Sequence, residues 1–246
     1  MIESAQAMTR EIAAILRGQA PAIYLYGSVA LNDFQLGWSD IDILVLTRRE
    51  ITRPQAEALL HLRQAMLERN PGNPYFGLFE GGMLSLDALL YRKTERTVYW
   101  GSSGQRIDEG YDLDSFGLAT LLDCGIPLHG EDLRARLNAP AYEQLRGDCA
   151  RHLRAVRVYG DSVGWLLDIA RGIYTLRTGK VIAKTAAGEW ALTENLCPDP
   201  EAMRTALRIR KEPLRYSKDE RKLDSGIIQR FADLLDDELQ KENRKL

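Results

Sequence analysis

Residues 26–46 read Tyr26-Gly27-Ser28-Val29-Ala30-Leu31-Asn32-Asp33-Phe34-Gln35-Leu36-Gly37-Trp38-Ser39-Asp40-Ile41-Asp42-Ile43-Leu44-Val45-Leu46. An apolar run enters this stretch from Ala22 and stops at Gly27, which predicts a buried strand. A second run, Ile41 to Leu46, is interrupted only by Asp42 and predicts another. Between them Val29-Ala30-Leu31 forms a short helical turn, followed by a loop that holds Asn32, Asp33, Gly37 and Ser39. Side chains alternate on a strand, so Asp40 and Asp42 project from one face. Two carboxylates on one face repel unless a cation sits between them. Magnesium suits the pair, because it takes oxygen ligands and shares them with substrate phosphates. Gly27 lets the backbone approach a phosphate. Ser28 can donate to phosphate oxygens, and the N–H groups of the helical turn point the same way. A Gly-Ser pair alone is commonly a turn, and a D-x-D alone a solvated strand edge. Here Asp42 lies inside an apolar run, where an unpaired carboxylate is costly. The joint pattern therefore points to metal-assisted phosphoryl or nucleotidyl transfer.

Outward from this stretch, residues 4–17 carry apolar side chains at helical spacing, and Gly18 ends them. Residues 53–69 predict an amphipathic helix with Ala56, Leu59, Leu60, Met66 and Leu67 on one stripe. Arg63 interrupts that stripe and is expected to lay its stem on apolar surface with its charge in water. Asn70-Pro71-Gly72-Asn73-Pro74 ends the helix. Tyr75 to Leu86 is partly extended, with a helical turn at 87–90, and Thr97 to Trp100 is a further strand. A helix over 114–124 precedes the short extended piece 126–130. After Asn138-Ala139-Pro140 the character changes, and only helices are predicted, over 141–158, 161–177, 184–195, 199–210 and 218–242. The expected fold class is α+β: a first domain over 1–138, with a small mixed sheet and flanking helices, and a C-terminal helical bundle over 139–246.

Composition narrows the function classes. The formal net charge of −2 gives no basic field for nucleic acid. Cys124, Cys149 and Cys197 are widely spaced, which fits a reducing cytoplasm and offers no zinc site. His61, His129 and His152 lack metal-binding spacing. The opening MIESAQAMTREIAAIL lacks the basic and apolar regions of a secretory leader. No run approaches the roughly 18 apolar residues of a membrane span. The expectation is a cytoplasmic, monomeric protein acting on small molecules, without membrane or nucleic-acid partners.

The stretch Tyr26 to Leu46 resembles the nucleotidyltransferase superfamily that includes DNA polymerase β, whose signature is a G-S pair followed by D-x-D. With Ser39 before the D-I-D, it looks most like the aminoglycoside adenylyltransferases of the streptomycin/spectinomycin type. Asn32 stands where relatives usually carry glycine, and asparagine tolerates the left-handed turn. The resemblance implies ATP as substrate, with Gly27, Ser28 and Ser39 at the nucleotide. It implies magnesium held by Asp40 and Asp42. It also implies a glutamate in the strand after the long helix as general base and further metal ligand. Glu80 matches by position, with Asp87 as the fallback. Gly81 and Gly82 depart from the β-branched or aromatic residues usual there and are expected to weaken the strand.

A second segment carries the same resemblance. Ala170-Arg171-Gly172-Ile173-Tyr174-Thr175-Leu176-Arg177-Thr178-Gly179-Lys180, with Lys184 and Ala186-Ala187-Gly188-Glu189-Trp190-Ala191, looks like the C-terminal domain of those enzymes. By this likeness Arg171 and Lys184 are the cations that contact the triphosphate and its departing pyrophosphate. Asp161 matches an acidic position facing the polycationic acceptor. His152 and Arg157 stand where streptomycin-modifying members tend to carry tryptophan and aspartate, and Arg157 would repel a guanidinium. Spectinomycin, or a hydroxyl compound that is not an antibiotic, stays open as acceptor. Trp165, Trp190 and Trp100 are expected in packing roles, and Arg208-Ile209-Arg210-Lys211 as a solvated helix end. The implied activity is magnesium-dependent transfer of AMP from ATP to a small hydroxyl-bearing acceptor, in a site formed by both domains. The alternatives are another acceptor (a protein, an RNA end or a metabolite) and a non-catalytic nucleotide-binding regulator.

Overall fold

Ala22 to Leu25 and Ile41 to Thr47 form the centre of the sheet because nearly every side chain in them is apolar and buried. In the computed structural model, which describes residues 1–101 and 104–243, the chain divides into two compact units. Met1–Ala30 and Asp40–Ala139 form one; Leu31–Ser39 and Pro140–Leu246 form the other.

The first unit contains, in order, α1 (Ile2–Ile15), β1 (Ala22–Leu25), α2 (Gly27–Ala30), β2 (Ile41–Thr47), α3 (Arg53–Arg69), β3 (Phe79–Ser85), α4 (Leu86–Tyr91), β4 (Thr97–Gly101), β5 (Gly104–Asp108), α5 (Ser115–Cys124) and β6 (Ile126–His129). The strands make one six-stranded sheet in the order β5-β4-β3-β2-β1-β6. β2 and β3 are parallel; the other neighbours are antiparallel. The sheet is therefore mixed, as expected. α3 spans the predicted residues because Thr52 and Gln55 close a capping box and Pro54 sits in its first turn. Asn32 does adopt a left-handed conformation, at φ 53.

Three expectations change in this unit. β5 carries little apolar signal in the sequence; its residues are mostly exposed and its pairing with β4 makes it a strand. Gly81 and Gly82 do not break β3, which runs unbroken from Phe79 to Ser85. A Cβ at Gly81, whose φ is +146, would lie 1.8 Å from the Ile43 carbonyl oxygen, so glycine is what lets β3 close on β2. Arg63 does not send its charge to water: its guanidinium donates to the carbonyls of Phe79, at 2.7 Å, and Gly101, at 3.2 Å. Trp100 is fully buried, with its indole N–H on the Leu59 carbonyl at 3.0 Å.

The second unit holds α6 (Tyr142–Tyr159), α7 (Gly164–Thr178), α8 (Lys184–Thr193), α9 (Pro200–Lys211) and α10 (Ser225–Asn243). The last helix starts at Ser225 and not at 218: residues 218–221 form a turn, and Lys222 then makes an isolated bridge to Ser162. The expected frayed tail from Lys241 is helical to Asn243; its last three residues lie outside the described residues. The loop Leu31–Ser39 packs in this unit through a buried ion pair. Asp33 accepts from Arg210 Nη2 at 2.6 Å and from the Thr185 hydroxyl at 2.6 Å. Arg210 is thus no solvated helix end: its side chain is 2% exposed. The guanidiniums of Arg210 and Arg221 lie 5.7 and 5.6 Å from the centroid of the Trp38 ring. Among the described residues no helix is long and apolar enough to cross a membrane.

Candidate active site

The sheet register assembles the carboxylates. Asp42 on β2 is the direct partner of Glu80 on the parallel strand β3. Asp40 immediately precedes β2 and is exposed, whereas Asp42 and Glu80 are half-buried. β2 is otherwise buried throughout, and Asp42 is its one charged residue. The charges of Glu80 and Asp40 both act on Arg63, whose pKa burial lowers and these two carboxylates draw back up.

Gly27 closes the other side. It has φ +60, and a Cβ there would lie 1.9 Å from Asp42 Oδ2. Only a residue without a side chain allows the end of β1 to lie so close to that carboxylate. The Tyr26 N–H donates to the Asp42 carbonyl at 3.1 Å. The Ser28 hydroxyl donates to the Asp40 carbonyl at 3.3 Å. Gly27, Ser28, Asp40, Asp42 and Glu80 therefore share one edge of the sheet. Ser39 is buried, and its hydroxyl accepts from the Gln35 N–H at 3.1 Å, stiffening the loop that leads into Asp40. Asp87, the fallback base, is exposed and paired with Lys93 at 3.0 Å.

Sequence reasoning overlooked a row of tyrosines beside these carboxylates. The Tyr99 hydroxyl donates to Glu80 Oε1 at 2.8 Å. Burial, reinforced by the hydrogen bond and charge of Glu80, pushes the Tyr99 phenol up to about 12, so it stays a donor. Tyr99 stacks on Tyr111 at 6.0 Å, and the Arg106 guanidinium lies over the Tyr99 ring, 4.2 Å from its centroid. The Tyr111 hydroxyl lies 3.2 Å from that of Tyr26. Burial raises both phenols, and the charge of Asp42 adds to the effect on each. The alternation in Thr97-Val98-Tyr99-Trp100 held the signal: Val98 and Trp100 are buried, and Tyr99 belongs to the other face. For Arg63 the signal was its interruption of an apolar stripe. Its bond to the Phe79 carbonyl fixes the peptide that precedes Glu80.

The donor set for a metal is oxygen only, which suits magnesium. Among the described residues no three His, Cys, Asp or Glu side chains converge closely enough to hold an ion. Magnesium commonly needs only one or two carboxylates, with substrate phosphates and water as further ligands. The adjacent Asp40 and Asp42 fit that requirement.

The second unit brings together Arg171 and Lys184. Both bond one carboxylate, Asp168, at 3.1 and 3.0 Å. Burial opposes the charge of Asp168, but Lys184, Arg171 and His152 outweigh it and hold the carboxyl at about 2. Asp161 is exposed, and its carbonyl accepts from the Leu223 N–H at 3.0 Å. Arg157, expected to repel a guanidinium-bearing acceptor, is met by Asp233 at 2.7 Å and Asp236 at 3.6 Å. Trp190 packs edge-on to Tyr174 at 5.1 Å.

A mixed sheet with a glycine–serine turn and strand-borne carboxylates is the arrangement of a nucleotidyltransferase, and comparison with known proteins agrees. Residues 10–73 match the family model of the nucleotidyltransferase domain. Residues 143–238 match that of the aminoglycoside adenylyltransferase C-terminal domain. Among solved structures, the chain is similar to the spectinomycin adenyltransferase AAD(9) from Enterococcus faecialis, crystallised with ATP and spectinomycin. The TM-score is 0.66 over 96% of this chain and 99% of that one, at 15% identity, a likeness of fold. The chain belongs to the nucleotidyltransferases of the aminoglycoside adenylyltransferase type and is an enzyme of that class.

Proposed function

We propose that the protein transfers AMP from ATP to a hydroxyl of an aminocyclitol or aminoglycoside antibiotic, with spectinomycin as the first candidate acceptor. The observation that carries this reading is the register of Asp42 with Glu80, beside Asp40 and against Gly27. The AAD(9) structure holds ATP and spectinomycin, which supports the choice of both substrates. Gly27, Ser28 and Ser39 bind the nucleotide phosphates, and Asp40 and Asp42 hold magnesium, with Glu80 available as a further ligand. The metal, when bound, polarises the α-phosphoryl group and offsets its charge.

Glu80 takes the proton of the acceptor hydroxyl. With Oε1 held by Tyr99, Oε2 is the oxygen that receives it. The oxygen of the acceptor bonds to the α-phosphorus as the bond to the β-phosphate oxygen breaks. Arg171 and Lys184 stabilise the leaving pyrophosphate. Asp161 attracts the cationic acceptor. The pairing of Arg157 with Asp233 and Asp236 balances the charge that argued against a guanidinium-bearing drug, so streptomycin belongs in the same test. The protein works as a cytoplasmic monomer.

The experiment is incubation of the protein with ATP, magnesium and each of a panel of aminocyclitols and aminoglycosides, with mass detection of an added AMP. A product carrying AMP is expected with spectinomycin or streptomycin. Absence of any AMP-bearing product across the panel overturns the antibiotic acceptor.

A further inference from the structure

Asp168 lies on α7 one turn before Arg171, and its side chain is 15% exposed. One of its oxygens accepts from Arg171 Nη2, and Lys184 Nζ donates to the same carboxylate from the start of α8. The two cations are themselves largely enclosed, at 16% and 29% exposure. Enclosed cations without a counter-charge are costly. Asp168 therefore supplies what a phosphate would supply: negatively charged oxygen acceptors at hydrogen-bond distance from both. His152 adds to the positive surroundings of the carboxylate.

We infer that Asp168 is an internal stand-in for phosphate: it neutralises and aligns Arg171 and Lys184 while the site is empty, and yields them to an arriving polyphosphate. This rests on the assignment of Arg171 and Lys184 to the nucleotide phosphates. Asp168 is a positioning residue, since it touches the phosphate-binding groups and not the phosphate. Its effect falls on release as well as on entry. A pyrophosphate leaving the site gives its two cations back to a waiting carboxylate, so wild-type protein lets go of the product more readily than two bare cations would.

The test uses inorganic pyrophosphate with the full chain, read by calorimetry and thermal melting. Asp168→Asn keeps the shape and one acceptor but removes the charge. Without pyrophosphate this variant melts below wild type. It binds pyrophosphate about tenfold more tightly, the size expected from deleting one nearby charge at intermediate dielectric. Its melting temperature therefore rises more on adding pyrophosphate than that of wild type. Equal or weaker binding overturns the inference. Lys184→Gln separates the two layers of the argument. If it weakens binding while Asp168→Asn fails to strengthen it, the stand-in role alone falls. If it leaves binding unchanged, or neither wild type nor Asp168→Asn binds pyrophosphate, the assignment of the cations falls too. Should Asp168→Asn not fold, the wild-type protein still decides. The Cε signal of Lys184, identified by its loss in Lys184→Gln, shifts as pyrophosphate is added; a signal that stays fixed while pyrophosphate binds overturns the inference.

Discussion

Replacing Arg210 by methionine tests the ion pair that anchors the loop between Ser28 and Asp40. Methionine fills much of the arginine stem's volume but donates nothing. Asp33, whose side chain is 9% exposed, then loses the guanidinium at 2.6 Å. Removing one partner of a buried pair costs about 3–5 kcal/mol, mostly because the other charge stays buried and uncompensated. The Thr185 hydroxyl, 2.6 Å from Asp33, remains and offsets about 1 kcal/mol of this. The expected loss for Arg210→Met is therefore about 3 kcal/mol. Asp33→Asn leaves Arg210 buried without its counter-charge and has a similar cost. The double variant buries neither charge, so it is expected to lose at least about 2 kcal/mol less than the sum of the two. Urea unfolding followed by far-ultraviolet circular dichroism measures all four proteins. Additive losses, or a cost for Arg210→Met below about 1 kcal/mol, would refute the buried pair and restore the solvated helix end.

Tyr99→Phe keeps the ring stack on Tyr111 and removes the donor to Glu80 Oε1. Stability should fall by only about 1 kcal/mol for this half-exposed bond. The kcat of pyrophosphate release should fall about tenfold with KM for ATP little changed, and steady-state kinetics would show any other split. Gly81→Ala places a Cβ 1.8 Å from the Ile43 carbonyl at φ +146, and is expected to cost on the order of 3 kcal/mol in urea unfolding. Asp168 predicts an acid effect. Its carboxyl is held at about 2 in the folded protein, below the ordinary carboxylate value. Its stabilisation is thus complete above roughly pH 4 and lost as pH falls toward 2, an increment of about 2 kcal/mol. Acid unfolding curves of wild type should carry this increment, and those of Asp168→Asn should lack it.

The edge of the sheet that carries the carboxylates was readable in the sequence because backbone rules govern it. Gly27, Asp40 and Asp42 are placed by strand ends and alternation, and a two-residue period survives without tertiary knowledge. Glu80 needed more: its distance from Asp42 depends on β3 choosing β2 as a parallel neighbour, which no local pattern states. The resemblance supplied Glu80 by its position after the long helix, and the structure supplied the pairing. Gly81 read as a weakness because its reason is the oxygen of a different strand. Arg63, Arg210 and Asp168 were misjudged or overlooked for a common reason. A charged side chain on a helix reads as solvated by default, and only its partner tells otherwise. Those partners are the Phe79 carbonyl, Asp33 and Lys184, each brought near by tertiary packing. β5 was missed because an exposed edge strand has little apolar periodicity to show.

The edge holding Gly27, Ser28, Asp40 and Asp42 is proposed to transfer a nucleotidyl group. Pyrophosphate release from ATP, measured with magnesium and a saturating acceptor identified in the panel, tests it most directly when wild type is set beside Asp42→Asn. A loss of about 100-fold or more is expected in the variant, with the fold intact by circular dichroism. Release undiminished in Asp42→Asn would contradict that proposal.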